Sequence, residues 1–315
     1  MPSRFVHDEL RRADLGRSTA YTIGVFDGVH LGHQYLVRQL ISTARSHGMA
    51  AGVVTFHPHP RAIVRPDFQI SYLTSLEERV ELLTDLGVDT VAALPFTSEL
   101  AQLSAREFCH LLHEDASLRL LVIGPDFALG RGREGIPERL REIGGEFGFQ
   151  VEVVPPLELQ GVKVSSTRIR QALTERDVRT AAALLGRPFS LRGPVVRGER
   201  RGRLLGFPTA NIAVGRDHAL PGYGVYVTRA YVGEHAWPSV TNIGVRPTFD
   251  ASQPTIETHL FDFDGDLYER EVKIDLLEAV RAERRFAGLD ELREQIRHDA
   301  AFARAWFETH EEHHG

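Results

Sequence analysis

Two histidines and several glycines lie close together near the N-terminus, in the stretch GVFDGVHLGHQ from Gly24 to Gln34. This stretch directly follows the apolar run Tyr21-Thr22-Ile23. A helix that begins near Leu31 would present free backbone N–H groups and the positive end of its dipole, which suits a phosphate. His30 and His33 are three residues apart, so both can face the same ligand on the first turn of that helix. The pattern therefore predicts a phosphate-binding turn with two histidine donors.

The glycines of this stretch fit the same interpretation. Gly24, Gly28 and Gly32 would let the backbone approach a ligand closely. The alternative is an ordinary helix cap with two partly exposed histidines. The position of the stretch after a first predicted strand favours the binding site.

Two later segments carry polar groups at comparable places in the chain. GPDFALGRGREG follows an apolar run and supplies Asp126 together with a loop of glycines and arginines. SSTRIR, residues 165–170, resembles a helix start whose hydroxyls cap the helix or bind phosphate, with Arg168 and Arg170 available for charge. Each segment alone is typical of ordinary caps and surface charge. Three such segments after successive strands favour one shared site.

A second set of candidate residues lies in RGERRGRLLGFPTANI, from Arg197 to Ile212. Its arginines, which include Arg203, form either a phosphate-binding loop or a solvated basic face. Thr209 and Asn211 are two residues apart, so they project from the same face of a strand. Both carry oxygen atoms that suit a hard cation such as Mg²⁺, which water and substrate phosphate usually complete.

The motif TFHPHP carries two more histidines, His57 and His59. On residue type alone they are compatible with a metal site. The prolines favour a rigid loop instead.

The elements that must position these residues differ between the two halves of the chain. In the first 185 residues, short apolar runs alternate with amphipathic helical stretches, which predicts a parallel sheet covered on both faces. Ligands bind beyond the carboxyl ends of the strands in such sheets, which is where Gly24 to His33 falls. The predicted helices are 34–47, 75–86, 105–114 and 137–147.

After LLGRPFSLRGPV the pattern changes to short strands separated by turns, with a long helix only from Leu289 to Trp306. Asp264-Gly265 is a typical tight-hairpin signal between two of these strands. The second half is therefore predicted to be a small antiparallel barrel or sandwich with one C-terminal helix. We place the boundary near Arg187, which gives domains 1–186 and 187–315.

Composition narrows the class of protein. The chain has 315 residues, of which 42% are hydrophobic and 25% charged, as expected for a soluble protein of two domains. A net charge of −6 argues against a general nucleic-acid binder, and no apolar run approaches a membrane span. Cys109 is the single cysteine and is expected in the core. No secretory apolar region follows the N-terminus, so we expect a cytoplasmic protein.

FDGVHLGHQ, TFHPHP, GPDFALG and SSTRIR together resemble the nucleotidyltransferase module of the bacterial bifunctional riboflavin kinase/FAD synthetase family. The HxGH signature of that family is matched by His30, Gly32 and His33. In its second signature, GxDFxFG, Leu129 replaces the second Phe. The resemblance implies an α/β Rossmann-like domain with His30 and His33 catalytic. The further binding residues that it implies are Gly24, Phe26, Asp27, Gly28, Gly32, Asp126, Ser165, Ser166, Thr167 and Arg168.

GFPTAN, GVYV, NIGVRPTF and IETHLFDF resemble the riboflavin kinase module of the same family, so the resemblance spans nearly the whole chain. It implies a six-stranded Greek-key barrel and Mg-ATP held by the PTAN residues, with Thr209 and Asn211 at the metal. It also implies Glu257 as the catalytic base. The further binding residues in this half are Arg203, Gly206 and Pro208.

The resemblance implies two reactions with ATP as co-substrate. Riboflavin becomes FMN with release of ADP, and FMN becomes FAD with release of pyrophosphate. One alternative is another HxGH enzyme such as a class I aminoacyl-tRNA synthetase, which would require a KMSKS-like loop although the chain has only two lysines. The other is a flavin-binding regulator without turnover. Neither nucleic acid nor membrane is expected as a partner.

Overall fold

The computed structural model describes residues 4–65, 67–159, 161–198, 206–245 and 254–311. The chain divides after Ser166 into two compact units.

The first unit contains a five-stranded sheet in the order β3-β2-β1-β4-β5, and every pairing in it is parallel. The strands are β1 (Thr19–Gly24), β2 (Ala50–His57), β3 (Thr90–Pro95), β4 (Leu118–Ile123) and β5 (Gln150–Val153). The helices are α1 (Arg4–Ala13), α2 (Leu31–Ser46), α3 (Pro60–Val64), α4 (Leu76–Asp85), α5 (Ser98–Ala101), α6 (Ala105–Asp115) and α7 (Pro137–Phe147). A small hairpin follows, formed by β6 (Glu158–Leu159) and β7 (Val162–Lys163).

Both faces of this sheet are covered by helices, as the alternating pattern predicts. One face packs against α1, α6 and α7, and its core includes Leu10, Cys109 and Leu140. The other face packs against α2 and α4, with Leu40 and Leu83 in its core. The expected burial of Cys109 is confirmed.

The strand order decides where a ligand can reach the sheet. β1 is the central strand: the connections that lead to β2 and β3 contain α2 and α4 on one face, and those that lead to β4 and β5 contain α6 and α7 on the other. The chain therefore reverses its direction of progress across the sheet at β1, which leaves a crevice beyond its carboxyl end. Gly24 ends β1 and Leu31 begins α2, so the predicted phosphate-binding turn lies at this crevice.

The second unit is a closed barrel of six antiparallel strands in the order β10-β11-β12-β9-β8-β13. The strands are β8 (Phe189–Val196), β9 (Ala210–Ile212), β10 (Gly224–Val232), β11 (His235–Val245), β12 (Pro254–Leu260) and β13 (Glu271–Ala282). The helices are α8 (Ser166–Thr174), α9 (Val178–Leu185) and α10 (Leu289–Glu311). The predicted barrel with a C-terminal helix is confirmed.

Alternate residues of the barrel strands face opposite sides. Val225 and Val227 of β10 pack outward against Ala303 of α10. Thr228 lies on the opposite face, where its hydroxyl is hydrogen-bonded to that of Thr241 at 2.7 Å. Because these interior hydroxyls bond to one another, the interior can be partly polar without unsatisfied groups.

One prediction about local structure is wrong. The tight hairpin at Asp264-Gly265 does not exist, because β12 pairs with β11 and β9 while β13 pairs with β10 and β8. In a Greek-key barrel the connection between non-adjacent strands has to cross the end of the barrel, and residues 261–270 do so here. In addition, the amphipathic helix α1 was not predicted from the sequence.

Within the part of the chain that is described, no helix has the length and apolar character needed to cross a membrane.

Adjacent glycines in α7 provide a test of the packing. A Cβ on Gly144 would lie 2.3 Å from the carbonyl oxygen of Phe149, whereas a Cβ on Gly145 would meet open space. We expect Gly144→Ala to lower the free energy of unfolding of the first unit by about 1–3 kcal/mol. We expect Gly145→Ala to raise it by about 0.5–1 kcal/mol, because alanine loses less backbone entropy in a helix. Thermal unfolding of both variants measures this, and equal shifts would contradict the described contact.

Candidate functional site

His30 is the N-cap of α2 and fixes the start of that helix. Its Nδ1 accepts a hydrogen bond from the backbone N–H of His33 at 3.3 Å, and the residue is only 5% exposed. A ring nitrogen that accepts carries no proton, so the ring proton of His30 lies on Nε2. His30 therefore has a defined donor atom, opposite the nitrogen used for capping.

The imidazole ring of His33 packs against that of His30. The two imidazole rings stack with their centroids 3.6 Å apart, and the Phe26 ring meets His33 edge-on at 5.1 Å. The His33 Nδ1 atom is buried without a hydrogen-bond partner among the described residues, although part of the residue remains accessible. Burial, the neighbouring His30 and the charge of Arg79 hold the pKa of His33 well below its ordinary value. His33 is therefore neutral at pH 7 in the free protein.

The loop that leads into α2 has a strained backbone. Phe26 and Val29 have φ values of +53° and +38°, and Gly28 has +82°. A positive φ is unusual for a β-branched residue such as Val29, and such strain persists only where surrounding contacts impose it. Those contacts come from the segment before α4: the Thr74 hydroxyl accepts from the Gly28 N–H at 3.1 Å. These contacts therefore fix the backbone conformation of the loop where it borders the crevice.

The buried side chain of Asp27 also connects this loop to the segment before α4. Its Oδ1 accepts the backbone N–H groups of Leu73 and Thr74 at 2.9 and 3.3 Å, and the residue is only 3% exposed. These contacts of the carboxylate are with protein rather than with the crevice. Ligand binding by Asp27 stays a prediction.

Packing accounts for two of the predicted glycines. A Cβ on Gly24 would lie 3.1 Å from the Phe26 ring, and one on Gly32 would lie 3.2 Å from the His30 ring. Small residues at these positions leave room for the rings on which the turn depends. Direct contact of these glycines with a ligand remains a prediction.

Arg79 on α4 is a residue of this site that the sequence analysis missed. Its side chain is wholly buried, its Nη1 donates to the carbonyl of Phe56 at 3.0 Å, and its Nη2 lies 3.9 Å from Asp27 Oδ1. A signal was present in the sequence, because Arg79 and Leu83 are four apart and share the buried face of α4. An arginine on the apolar face of a helix is unusual and therefore indicates a specific structural or functional role.

Asp126 lies in the loop after β4, the strand next to β1. Its carboxylate forms an exposed ion pair with Lys163 of β7 at 2.5 Å, and this hydrogen bond lowers its pKa. Leu129 of the same loop packs in the core of the first unit. The departure from the family pattern at Leu129 therefore falls at a core position.

The SSTRIR segment contacts the turn after β1 through a hydrogen bond to the backbone of that turn. Ser166 donates from Oγ to the carbonyl of Asp27 at 2.9 Å, which brings residues 165–166 beside the turn. Ser165 makes polar contacts of its own. Thr167 and Arg168 continue α8, and their binding roles remain predictions.

His59 caps α3, with its Nδ1 accepting from the Arg61 N–H at 3.0 Å, so it has a structural role. No cluster of three or more histidine, cysteine, aspartate or glutamate side chains that could hold a metal occurs in the described ranges.

The candidate site of the second unit is a row of three polar residues across neighbouring strands. Glu257 of β12 lies opposite Asn211 of β9 on one side and opposite Asn242 of β11 on the other. Directly paired residues project from the same face of a sheet with Cβ atoms about 4.5–5.5 Å apart. The carboxylate is thus flanked by two amides. Asn242 was missed as a candidate, since only strand register reveals this neighbour.

The PTAN segment approaches this row from the N-terminal end of β9. Thr209 precedes β9 and the Pro208 carbonyl contacts the His259 ring at 2.7 Å. A Cβ on Gly198 would lie 2.4 Å from the Asn211 amide, so this glycine permits the chain just after β8 to pass close to that amide. Gly206 is exposed with φ +87°. Arg203 lies outside the described residues.

An open cavity of about 370 Å³ lies at one end of the barrel. Pro208 and Thr209 line it, whereas Asn211 and Glu257 are absent from its described wall. Its remaining lining residues are Val195, Ala210, Thr258, Leu260, Phe263, Asp264, Gly265, Asp266, Leu267 and Tyr268. Its size and mixed lining fit a small organic ligand.

The donor set beside this cavity is compatible with Mg²⁺. Thr209 and Asn211 offer neutral oxygens, and Glu257 faces Asn211 across the strand pair. Mg²⁺ is usually bound by one or two protein oxygens, with water and substrate phosphates completing the octahedron. A sparse set of oxygen donors is what such a site requires.

Comparison with known proteins agrees with the division of the chain into two units. The FAD synthetase family model matches residues 13–168, and the riboflavin kinase family model matches residues 185–307. A crystal structure of a protein named macrolide-efflux protein, from Streptococcus pneumoniae, matches with a TM-score of 0.86 and 32% sequence identity, over 94% of this chain and 97% of that one.

Three proteins called bifunctional riboflavin kinase/FMN adenylyltransferase are similar over most of their length. The one from Escherichia coli strain K12 is 40% identical over 91% of this chain and 92% of its own. That from Pseudomonas fluorescens is 40% identical over 92% and 93%, and that from Bacillus subtilis strain 168 is 36% identical over 90% and 91%. The resemblance noted in the sequence is confirmed, and the chain belongs to the bifunctional riboflavin kinase/FMN adenylyltransferase family.

Proposed function

We propose that this protein makes FAD from riboflavin in two ATP-dependent steps. The kinase domain, 187–315, transfers the γ-phosphate of ATP to riboflavin and gives FMN and ADP. The adenylyltransferase domain, 1–186, joins FMN to the AMP portion of a second ATP and releases pyrophosphate. The observation that carries the proposal is that the two family models match separate stretches, 13–168 and 185–307, which correspond closely to the two compact units of the chain.

The geometry of the first unit supports adenylyl transfer. An oxygen of the FMN phosphate attacks the α-phosphorus of ATP, a P–O bond forms, and the bond to the pyrophosphate leaving group breaks. The FMN phosphate is already largely ionised at neutral pH, with a second pKa of roughly 6, so it needs no strong base. It needs donors to the charge on the phosphates, which the Nε2–H of His30 and the N-terminus of α2 supply.

The geometry of the second unit supports phosphorylation of an alcohol. The terminal ribityl hydroxyl is a weak nucleophile, and a positioned carboxylate that takes its proton helps it attack the γ-phosphorus. Glu257 has this role, with Asn211 and Asn242 beside it to fix its orientation. Thr209 and Asn211 hold Mg²⁺, which when bound offsets charge on the phosphates of ATP.

Incubation with riboflavin, ATP and Mg²⁺, followed by chromatographic separation of flavins, tests the proposal. We expect FMN to appear first and FAD to follow. A flavin-binding regulator would bind riboflavin and return it unchanged, which would contradict the proposal.

The histidine pair yields the first functional prediction. His30→Ala combined with His33→Ala removes two donors at the α2 N-terminus, and we expect the rate of FAD formation to fall by about 10²–10³-fold. Riboflavin phosphorylation should stay within about threefold of the parent rate, so the variant accumulates FMN.

His47→Ala provides the matched control, because it removes an exposed histidine from the other end of the same helix. It should leave both rates unchanged. FAD formation at the parental rate in the double variant would exclude the phosphate role.

Glu257 yields the second functional prediction. Glu257→Gln keeps the size and hydrogen-bonding reach of the side chain but cannot accept the proton. We expect FMN formation to fall by about 10²–10⁴-fold, while conversion of supplied FMN to FAD is unaffected. Glu271→Gln, an exposed carboxylate on β13, is the control. Kinase activity within threefold of the parent in Glu257→Gln would show that the base lies elsewhere.

Two fragments test the domain boundary. Fragments 167–315 and 187–315 both contain Thr209, Asn211 and Glu257, so both should phosphorylate riboflavin and make no FAD. The longer one retains α9, whose apolar residues are buried and which contacts β8 and β13. We therefore expect it to have the higher Tm. Formation of FAD by either fragment, or a well-folded fragment without kinase activity, would show that the sites are not divided at this boundary.

A further inference from the structure

Arg79 is a buried cation whose hydrogen-bonding capacity is only partly used. Its side chain has no exposed surface, and its Nε and Nη2 atoms lack a hydrogen-bond partner among the described residues. Asp27, the nearest carboxylate, stands 3.9 Å from Nη2 and is itself bonded to two backbone N–H groups. A buried charge with incomplete pairing costs stability, and an apolar residue of similar size would fill this position at lower cost. Packing alone therefore does not explain the arginine.

The groups that Arg79 contacts all border the crevice beyond β1. Its Nη1 donates to the carbonyl of Phe56 near the end of β2 and lies 3.5 Å from the Thr55 hydroxyl. That hydroxyl in turn donates to the carbonyl of Val25 at 2.9 Å, in the turn that leads to His30. The Arg79 guanidinium also lies 5.8 Å from the centre of the Tyr72 ring, in the segment that holds Asp27. One side chain thus connects the end of β2, the turn after β1 and the segment before α4.

The charge of Arg79 also acts on the histidine pair. Burial, then His30, then Arg79 lower the pKa of His33. The groups that bear on His33 are His30 from the same turn, the Phe26 ring and Arg79 from α4, with Asp27 facing Arg79. Loss of the Arg79 charge would raise the pKa of His33 and remove the cation that faces the Asp27 carboxylate.

We propose that Arg79 is a positioning residue for adenylyl transfer: its buried charge holds the strained turn after β1 in place and keeps the stacked histidines in the arrangement that receives the phosphates of ATP. Arg79 does not itself touch the substrate. The inference rests on the proposed function of the first unit and adds to it the residue that maintains its site.

Arg79→Met and Arg79→Lys separate charge from volume. Methionine fills similar space without charge, so we expect kcat for FMN adenylylation to fall by about 10²-fold, comparable to loss of a positioned donor. Lysine restores the charge and should recover kcat to within about tenfold of the parent. Riboflavin phosphorylation by the same molecules should not change. If methionine prevents folding of the first unit, Arg79→Gln serves as the uncharged variant.

A second readout does not depend on turnover. In the free protein labelled with ¹³C-histidine, the His33 resonance is assigned by its loss in His33→Asn and followed by NMR against pH. We expect His33 to titrate at a clearly higher pH in Arg79→Met than in the parent, and to stay close to the parent in Arg79→Lys. This measurement remains informative if the protein makes no FAD, so failure of the proposed function and failure of the Arg79 proposal are distinguishable.

Leu83→Ala is the matched control, since Leu83 is fully buried on the same face of α4 but is apolar and carries no charge that could act on Asp27 or His33. It should lower the Tm but leave adenylylation within about threefold of the parent. The proposal is overturned if Leu83→Ala loses as much kcat as Arg79→Met. It is also overturned if Arg79→Lys is as poor as Arg79→Met, or if Arg79→Met keeps parental kcat and parental His33 titration.

Discussion

The hydrogen bond from the His33 N–H to Nδ1 of His30 is the contact on which the first site depends. It begins α2 at the carboxyl edge of the sheet, places the proton of His30 on Nε2, and stacks the two rings. Because the Nε2–H of His30 lies beside the positive end of the α2 dipole, this arrangement suits the negative charge of phosphate groups. The strained backbone at Phe26 and Val29 is the structural cost of that arrangement.

The two units solve different chemical problems with different kinds of structure. In the first, the ligand-facing groups lie in loops after parallel strands, where backbone N–H groups and helix dipoles are available. In the second, strand register in an antiparallel barrel places Glu257 between two amides. A rigid pair of strands holds a base at a fixed distance from its neighbours, whereas a helix N-terminus presents several donors to one anion. The proposed division of labour between phosphate binding and proton removal follows from these two geometries.

Much of this could be predicted from sequence, because the signals were local. The strand-helix alternation predicted the parallel sheet, the start of α2 near Leu31 was correct, and the change near Arg187 marked the barrel. The parts that failed depend on contacts distant in sequence. The tight turn at Asp264-Gly265 is wrong since strand order, which local sequence does not encode, separates β12 from β13.

Arg79 and Asn242 show the same limit for the site. Arg79 lies about fifty residues from the turn that it supports, and only the fold brings the two together. Asn242 becomes a neighbour of Glu257 through the register of β11 and β12. Sequence motifs identify candidate substrate-binding residues. The residues that stabilise those motifs are identified from burial and strand pairing in the structure.

The origin of the phosphorus atoms in the product tests the central claim most directly. Purified protein is given riboflavin and Mg²⁺ with ATP labelled at the γ-phosphate in one reaction and at the α-phosphate in another, and the flavins are separated. Two consecutive transfers on one chain predict γ-label in both FMN and FAD and α-label in FAD alone. Unlabelled riboflavin as the only flavin recovered, or α-label in FMN, would contradict the account.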